Sequence, residues 1–402
     1  MRTHPKPLLH RLKTHYKTLL LGAVLSAALV IAACGGGSNS AGVGSGGTGA
    51  FSVTAYSEGT ITGFGSVIVN GLRYDDGLAI VRDEDGLRSR SDLKLGMVVA
   101  IDGKVDSDNI ASASDIRYDS ALLGPVKTVS LGSNTFTVMG QTVHLDDSTV
   151  LDASLAQGLA SLSGNDVVEV HGFLNAATNS LQATLVERKT SVSKYKISGL
   201  VQNLQVSAKT FMIGNEKFSF AGVNLESIAN GNLVKLRLQP RAPTGTDPLV
   251  VAASRRQERS SASQERAEIE GLVTQVNSAT QFSVSNVLVD TRNASFPGGN
   301  TTITIGMRIK AKGRLLDGIL TATEVKAESR GSKDIELKGT VSDLNTVNKT
   351  FTVRGVSVNY SPPVRYDKGT EASLANGVAV EVEGNLIAGT ATVKASNIKF
   401  LN

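Results

Sequence analysis

Tryptophan is absent from this 402-residue chain, and cysteine and histidine are scarce. Cys34 is the only cysteine, so no disulfide bond can form within the chain and no metal site can be built from several thiolates. Beyond residue 33 the only histidines are His144 and His171. The chain must therefore owe its stability to hydrophobic cores rather than to disulfide bonds or cysteine-based zinc sites.

An excess of charge of one sign is also missing once the N-terminus is set aside. The whole chain has 41 Lys and Arg against 36 Asp and Glu, a formal net charge of +5. Residues 1–33 hold five basic residues and no acidic one, so the remainder is balanced at 36 against 36. General basicity is the usual electrostatic signature of nucleic-acid binding, and we therefore expect no nucleic-acid partner.

Catalytic motifs of defined spacing are absent from the sequence after residue 33. It contains no Gly-x-Ser-x-Gly elbow, no Gly-x-x-x-x-Gly-Lys-Ser/Thr phosphate loop and no His-Glu-x-x-His helix. Gly63-Phe64-Gly65 lacks the third glycine of a dinucleotide loop and is better interpreted as a bulge or bend in a strand. The sequence predicts a protein that is not an enzyme and that needs no cofactor.

Residues 1–33 have the form of a signal peptide. A cationic stretch precedes the apolar run Leu19–Ala33, which is short for a permanent membrane-spanning helix. The run ends in Ile31-Ala32-Ala33-Cys34, which resembles the lipobox of bacterial lipoproteins. The alternative is an ordinary secretory signal followed by an incidental cysteine.

The lipobox resemblance implies that Cys34 is diacylated and becomes the first residue of the mature protein, held in the membrane by its lipid chains. Residues 34–56 are then the lipidated cysteine and a flexible Gly/Ser-rich tether. Because Gly35 is not Asp, the resemblance also implies sorting to the outer membrane of a Gram-negative bacterium, on its periplasmic or its surface face.

One pattern of glycines and alternating apolar residues occurs five times in the rest of the chain. Its openings, 65, 75, 72 and 68 residues apart, are Gly59-Thr60-Ile61, Gly124-Pro125-Val126, Gly199-Leu200-Val201, Gly271-Leu272-Val273 and Gly339-Thr340-Val341. That spacing suits a small complete domain. The predicted units are repeat 1 (57–119), repeat 2 (120–190), repeat 3 (194–253), a polar linker (254–266), repeat 4 (267–329) and repeat 5 (334–402).

Each repeat is expected to be all-β. Period-two alternation predicts short strands, and Phe136, Phe211, Phe282 and Phe351 recur at one core position. Segments such as Ser91–Gly96, Ser227–Gly231 and Ala372–Gly377 predict a helical turn that ends at glycine. About five strands with one helical turn before the fourth favour five tandem OB-like barrels, with an immunoglobulin-type sandwich as the alternative.

Glycines follow the fourth strand of four repeats, at Gly103, Gly172, Gly313 and Gly384, and we expect turns with positive φ there. Repeat 3 departs from the pattern, because Gly214 comes one residue early and Leu238 replaces the closing glycine. The arginines of the 254–266 linker are expected in a solvated segment, although they could also contact anionic lipid or polysaccharide.

The run Gly59–Gly71, followed by Leu93–Val99, resembles a bacterial family known as domain of unknown function 5666. Members resemble this chain in carrying tandem copies behind a lipoprotein signal. The resemblance brings no activity and no site residues with it.

Two groups of side chains are candidates for chemistry. His144 and His171 could pair on a metal ion, but without a patterned third ligand we expect solvent-facing or hydrogen-bonded strand histidines and no metal site. Asp75-Asp76, Asp83-Glu84-Asp85 and Asp146-Asp147 do not match a calcium loop, and Asp85-Gly86 predicts a charged hairpin tip. Tyr74, Tyr118 and Tyr366 are candidate exposed aromatics.

The sequence predicts a non-enzymatic cell-envelope lipoprotein with Cys34 as its lipid attachment site. Its repeats would act as a scaffold, a spacer or an adhesion-like binding module, with the membrane and an envelope protein or polysaccharide as partners. The alternatives are a specific binding protein for an envelope or extracellular polysaccharide, and an enzyme of unknown class. Because the repeated positions are fold-specifying, any binding site should lie in what the repeats do not share.

Overall fold

The structure is a computed structural model that describes residues 52–106, 110–225, 228–241, 247–255, 263–285, 287–297, 299, 302–328 and 334–401. The signal segment, Cys34 and residues 35–51 of the predicted tether lie outside the described residues. The predicted tether ends too late, because residues 53–56 belong to the first strand of repeat 1, where Ala55 and Tyr56 are buried. The fold is all-β, with 59% strand, and the described residues contain no α-helix. Over that part of the chain no helix has the length and hydropathy needed to cross a membrane.

Thirty strands follow one another along the described chain. Repeat 1 contains β1 (Val53–Phe64), β2 (Val67–Val69), β3 (Leu72–Asp75), β4 (Ile80–Asp83), β5 (Gly86–Arg88), β6 (Val98–Val105) and β7 (Ala111–Tyr118). Repeat 2 contains β8 (Leu122–Ser130), β9 (Thr135–Val138), β10 (Gln141–His144), β11 (Val150–Leu151), β12 (Val167–Asn175) and β13 (Ser180–Lys189). Repeat 3 contains β14 (Tyr195–Leu200), β15 (Gln202–Gln205), β16 (Thr210–Ile213), β17 (Glu216–Ser219), β18 (Leu233–Leu238) and β19 (Leu249–Ser254).

The two C-terminal repeats follow the same plan. Repeat 4 contains β20 (Gln264–Ser278), β21 (Gln281–Val284), β22 (Val287–Asp290), β23 (Arg308–Leu316) and β24 (Ile319–Ala327). Repeat 5 contains β25 (Asp334–Asn345), β26 (Thr350–Val353), β27 (Val356–Asn359), β28 (Arg365–Asp367), β29 (Ala379–Leu386) and β30 (Thr392–Phe400). Short 3-10 turns lie at Arg90–Asp92, Ala153–Leu155, Gly158–Ser161 and Glu371–Ser373.

The strands of repeats 1, 2, 4 and 5 pair in a closed cycle, whereas in repeat 3 the first strand is divided into β14 and β15, and no ladder joins these two among the described residues. In repeat 4, β20 pairs with β21, β21 with β22, and β24 with β23, which returns to β20; all of these ladders are antiparallel. The cycle is closed by a parallel ladder between β22 and β24. Equivalent parallel ladders join β3 to β7, β10 to β13, β17 to β19 and β27 to β30. Numbering the five main strands of a repeat, the order is therefore 1-2-3-5-4.

The repeated aromatic position lies in the core, as predicted. Phe136, Phe211, Phe282 and Phe351 are each 1% exposed, which confirms a packing role. The predicted helical turns are also present in repeats 1 and 5, where Arg90–Asp92 and Glu371–Ser373 form the 3-10 turns. The corresponding segment of repeat 3 begins at Ser227, outside the described residues.

The glycines that follow the fourth strand have a different role from the predicted one. Gly103, Gly172, Gly313 and Gly384 lie inside strands, each at a β-bulge against the closing strand, and none has a positive φ. A Cβ on any of them would lie 2.1–2.2 Å from a backbone carbonyl oxygen of the closing strand. The requirement is a close backbone approach where the strand bends, not a left-handed turn. In repeat 3 the bulge is kept at Arg237/Leu238, and β18 ends there.

Neighbouring repeats share backbone ladders. The first strand of repeat 1, β1, runs parallel to β20 of repeat 4 from Ala55↔Arg266 to Glu58↔Ile269, and to β25 of repeat 5 at Phe64↔Leu337. Repeats 2 and 3 are joined by an antiparallel ladder between β8 and β14. The described residues form one compact unit.

The hydrophobic cores are shared in the same way. Buried apolar side chains of repeats 1 and 5 form one continuous cluster, which Val150 and Leu185 of repeat 2 extend. The core residues of repeats 2 and 3 form a second cluster, and those of repeat 4 form a third together with Tyr56 of repeat 1. Burial is therefore gained between repeats as well as within them.

Buried polar contacts fix the position of repeat 4. The Arg308 guanidinium donates from Nε to Glu270 Oε1 at 3.0 Å, with both side chains at most 5% exposed, and lies over the Phe173 ring of repeat 2 at 5.5 Å. Asn70 of repeat 1 donates from Nδ2 to the carbonyl oxygens of Glu58 and Glu268. The contacts orient repeat 4 against repeats 1 and 2.

The ends of the predicted 254–266 linker are structured. Ser254 is the last residue of β19, and Gln264 is the first residue of β20. Arg255 is not solvated, because its side chain is only 3% exposed. The expectation of a solvent-facing arginine is wrong at this residue, which the fold buries between repeats 1, 2 and 3; residues 256–262 lie outside the described part of the chain.

Candidate functional site

A cleft of about 650 Å³ lies between repeat 1 and repeat 3. One wall is the β4–β5 hairpin of repeat 1, and the opposite wall carries Lys235, Arg237 and Arg255. The floor includes Val98–Ala100 of β6 and the segment Arg117–Asp119 that leads into repeat 2. Cations and carboxylates thus face one another across a pocket large enough for a small polar ligand.

The hairpin wall is the one that the sequence predicted. Asp83 pairs with Gly86 in the β4–β5 ladder, which confirms a hairpin here, but its turn is Glu84-Asp85, one residue earlier than the predicted pair Asp85-Gly86. Arg88 Nη2 lies 2.7 Å from Asp83 Oδ2, and Arg82 Nη2 lies 2.5 Å from Asp115 Oδ2. The first pair joins the two strands of the hairpin, and the second joins the hairpin to β7. β4 and β5 have no counterpart pair in the other repeats as described.

An ion network joins the hairpin tip to repeat 3. Arg255 pairs with Glu84, and its Nη1 donates to Asp119 Oδ1 at 2.5 Å. Lys196 Nζ lies 2.7 Å from Glu84 Oε1, although its side chain is only 5% exposed. Arg237 Nη2 donates to Asp85 Oδ1 at 2.6 Å, and Lys194 pairs with the same carboxylate. The tip is therefore a docking element rather than a solvated loop.

The network moves the pKa values of its carboxylates in opposite directions. Burial alone would raise the pKa of Glu84, but Arg255 and Lys196 outweigh it and lower the pKa to about 2. Burial raises the pKa of Asp119, and Glu84 adds to that effect while Arg255 and Lys235 oppose it. Glu84 is thus a stable anion at neutral pH.

The remaining carboxylate groups cap turns. Asp75 Oδ1 accepts a hydrogen bond from the Gly77 N–H at 2.9 Å, and Asp146 Oδ1 accepts one from the Ser148 N–H at 2.9 Å. Asp side chains at the start of a turn commonly accept such a hydrogen bond from the backbone N–H two residues later. Neither group joins the cleft.

A second cluster lies next to the cleft, on two adjacent strands of repeat 2. Glu169 and His171 of β12 and Glu187 of β13 place one carboxylate or imidazole ligand atom each within 4.8 Å of one another. His144 does not belong to this cluster: it is exposed and lies at the end of β10, whose ladder partner is β13 at Gln182. The structure thus separates the two histidines that the sequence suggested as a pair.

His171 differs from the expectation of a solvent-facing or hydrogen-bonded histidine. It is 1% exposed, and neither ring nitrogen has a hydrogen-bond partner among the described residues. The Tyr118 ring covers it at a centroid distance of 6.3 Å. Burial lowers the pKa of His171, while the neighbouring glutamates oppose that effect, so the imidazole is neutral at neutral pH.

The candidate exposed aromatics do not form a common surface. Tyr74 is fully buried, with its hydroxyl 2.8 Å from Ser57 Oγ, so its predicted exposure is wrong. Tyr118 is half-buried and lines the cleft, and Tyr366 is half-buried in repeat 5. A stacking face that recurs from repeat to repeat is not formed by these residues.

Sequence reasoning missed the partners of His171 for a simple reason. Glu169 lies between Val168 and Val170, where apolar alternation predicts a solvent-facing charge, whereas its side chain is only 18% exposed. The available signal was the i, i+2 spacing of Glu169 and His171, which places both on the same face of β12. Glu187 becomes their neighbour only through the β12–β13 register, where it stands opposite Glu169.

Three segments of the chain, residues 124–187, 270–326 and 338–399, match the family described as domain of unknown function 5666. These segments lie in repeats 2, 4 and 5, and three separate matches are consistent with tandem repeats of this domain. The three segments do not include the Gly59–Gly71 run of repeat 1. No curated protein matches the chain significantly.

Proposed function

We propose that this protein is a non-enzymatic cell-envelope lipoprotein whose repeats form a rigid scaffold or adhesion-like binding module. The observation that carries the proposal is the sharing of ladders and cores between repeats, from β1–β20 to the joint core of repeats 1 and 5. Such packing favours a stiff body over an extended spacer. The residues that recur from repeat to repeat are glycines and core Phe residues, which specify the fold and carry no reactive group.

Each repeat is, on this proposal, an OB-like barrel. The strand order 1-2-3-5-4 with a parallel pairing of the third and fifth strands supports it, as does the short length of each repeat. The five barrels would stand behind the signal peptide of residues 1–33 and the Gly/Ser tether.

The anchor of the proposed lipoprotein is Cys34, placed in the outer membrane of a Gram-negative bacterium. Two or more acyl chains hold a protein firmly where one chain holds it only marginally. A Cys34→Ala variant should lose incorporation of labelled palmitate and should move to the aqueous phase on detergent partition, whereas Cys34→Ser tests the same loss with a closer side chain. Retention of both variants in the detergent phase would contradict the anchor.

The binding role is tested separately from the anchor. Cross-linking in intact cell envelopes should capture a specific envelope protein or polymer with the wild-type chain. Charge reversal at the cleft, Arg237→Glu, should reduce that capture, while Arg365→Glu in repeat 5 serves as a matched control. Equal capture by the wild type and both variants would show that the cleft is not the surface that binds the captured partner.

The second candidate is a specific binding protein for an envelope or extracellular polysaccharide. The cleft favours it, since Tyr118 and several charged side chains line one concave surface. On a glycan array, Tyr118→Ala should abolish any signal of the wild-type chain, and Tyr366→Ala should retain it. Absence of binding above background by the wild-type chain would count against this candidate.

An enzyme of unknown class is the least supported alternative. Glu84 and Asp119 of the cleft are already paired with Arg255, an arrangement that suits binding better than proton transfer.

A further inference from the structure

We propose that Glu169, His171 and Glu187 form a binding site for a divalent first-row transition metal ion such as Zn²⁺. The three side chains come from two adjacent strands of repeat 2. Glu169 and His171 alternate along β12, and Glu187 of β13 stands opposite Glu169 in the ladder. Val168 and Val170, on the other face of β12, are fully buried in the core and fix the strand.

The buried imidazole is the observation that points to a ligand. Buried polar groups in proteins are almost always hydrogen-bonded, and an exception calls for a bound water or an ion. His171 is 1% exposed, and neither Nδ1 nor Nε2 has a partner among the described residues. The ligand atoms of the ring and of two carboxylates lie within 4.8 Å of one another, so the missing partner of the imidazole is expected to be positively charged.

The donor set matches the chemistry of such an ion. Imidazole nitrogen with carboxylate oxygen suits zinc and similar first-row metals, whereas calcium and magnesium prefer oxygen ligands alone. Zinc bonds to these donors are about 2.0–2.2 Å long, so small side-chain rotations must close the present separations. Three protein ligands also leave a fourth position for water or another donor.

Lysine side chains already satisfy part of the negative charge. Lys189 Nζ lies 2.8 Å from Glu169 Oε2 and 3.5 Å from Glu187 Oε2, and Lys94 of repeat 1 pairs with Glu187. A metal ion must therefore displace the Lys189 ammonium from between the carboxylates. The Lys189 side chain is 31% exposed, which gives it a path to solvent.

This competition provides a readout that a purely structural histidine would not give. If Lys189 competes with the metal, a Lys189→Gln variant must bind the ion more tightly than the wild type, because the mutation removes the competing charge. A cluster that exists only for packing predicts no gain of affinity.

The experiment is a calorimetric titration of Zn²⁺ into the full chain, purified in detergent without a histidine tag and stripped with a chelator. The variants are His171→Phe, the matched control His144→Phe, and Lys189→Gln. Phenylalanine keeps an aromatic ring in the buried site while removing both nitrogens, so His171→Phe should fold. Circular dichroism melts in chelator verify folding of each variant, and Co²⁺ absorption in the visible region reports the coordination of the ion.

We expect one Zn²⁺ per chain for the wild type and for His144→Phe, with a chelator-reversible rise in melting temperature. His171→Phe should lose at least tenfold in affinity, and Lys189→Gln should gain at least tenfold. The proposal is overturned if the wild type shows no saturable one-to-one binding, if folded His171→Phe binds as the wild type does, or if Lys189→Gln binds no more tightly.

Discussion

Replacing Arg255 by Met tests whether the hairpin of repeat 1 is held to repeat 3 by a buried ion network. The Arg255 guanidinium contacts Glu84 and Asp119 and is the most buried cation of the cleft wall, at 3% exposure. Met fills much of the same volume without charge. The variant therefore removes the charge while keeping most of the packing.

The expected loss follows from what the mutation leaves behind. Breaking a buried ion pair by removing one partner costs about 3–5 kcal/mol, because the other charge stays buried without compensation. Here Lys196 remains 2.7 Å from Glu84, and Lys235 remains 3.7 Å from Asp119, so part of the compensation survives. We therefore expect Arg255→Met to lower the free energy of unfolding by roughly 2–3 kcal/mol.

Urea unfolding followed by far-UV circular dichroism measures this loss, since the chain has no tryptophan for fluorescence. The control is Arg365→Met, whose partner Asp367 lies 2.9 Å away on the surface and whose side chain is 74% exposed. Exposed pairs contribute about 0–1 kcal/mol. If Arg255→Met costs no more than the control, the network does not hold the hairpin and the electrostatic reasoning fails.

Three further predictions use single positions. The pKa of Glu84 is lowered from 4.5 to about 2, so its ionised form contributes up to about 3 kcal/mol to the free energy of unfolding above pH 5. That contribution is lost as the pH falls toward 2, and comparing the free energy of unfolding of Glu84→Gln with that of the wild type at each pH measures it. Gly313→Ala should cost about 2–3 kcal/mol by forcing its Cβ against the Thr321 carbonyl, while Gly132→Ala, which meets nothing, should be neutral in the same denaturation assay. Phe351→Ala should cost about 3–5 kcal/mol by opening a core cavity, and the exposed Val347→Ala should change stability by less than about 0.5 kcal/mol in thermal melts.

Alternation of apolar residues was enough to predict the strands and the core aromatics. Phe136, Phe282 and Phe351 stand between polar neighbours, and Phe211 at the same repeat position stands between Thr210 and Met212. In a strand, side chains alternate between two faces, so this pattern directs each Phe to the buried face. All four are buried for that reason. Local pattern also predicted the β4–β5 hairpin to within one residue, from Asp85-Gly86, although the turn itself is Glu84-Asp85.

The bulge glycines show what the local sequence pattern could not predict. A glycine after an apolar strand is compatible with a turn and with a bulge, and both need its missing Cβ. The difference lies in the residues that follow: Lys104 and Val105 continue β6 after Gly103, in a register shifted against β7. That shift is set by pairing with a strand later in the chain, so the position alone could not reveal it.

The expectation that any site would lie outside the shared positions now has a physical account. The shared positions form the core and the bulges of each repeat, and the first strand of repeat 1 pairs with the first strands of repeats 4 and 5. The floor of the cleft, Val98–Ala100, comes from a strand that every repeat has, whereas its walls are the hairpin β4–β5, the strand of repeat 3 with Lys235 and Arg237, and Arg255. The cleft forms between these walls, and His171 lies next to it under Tyr118. The repeated positions thus specify the fold, whereas the hairpin β4–β5 and Arg255 at the cleft and His171 at the proposed metal site each occur in one repeat only among the described residues.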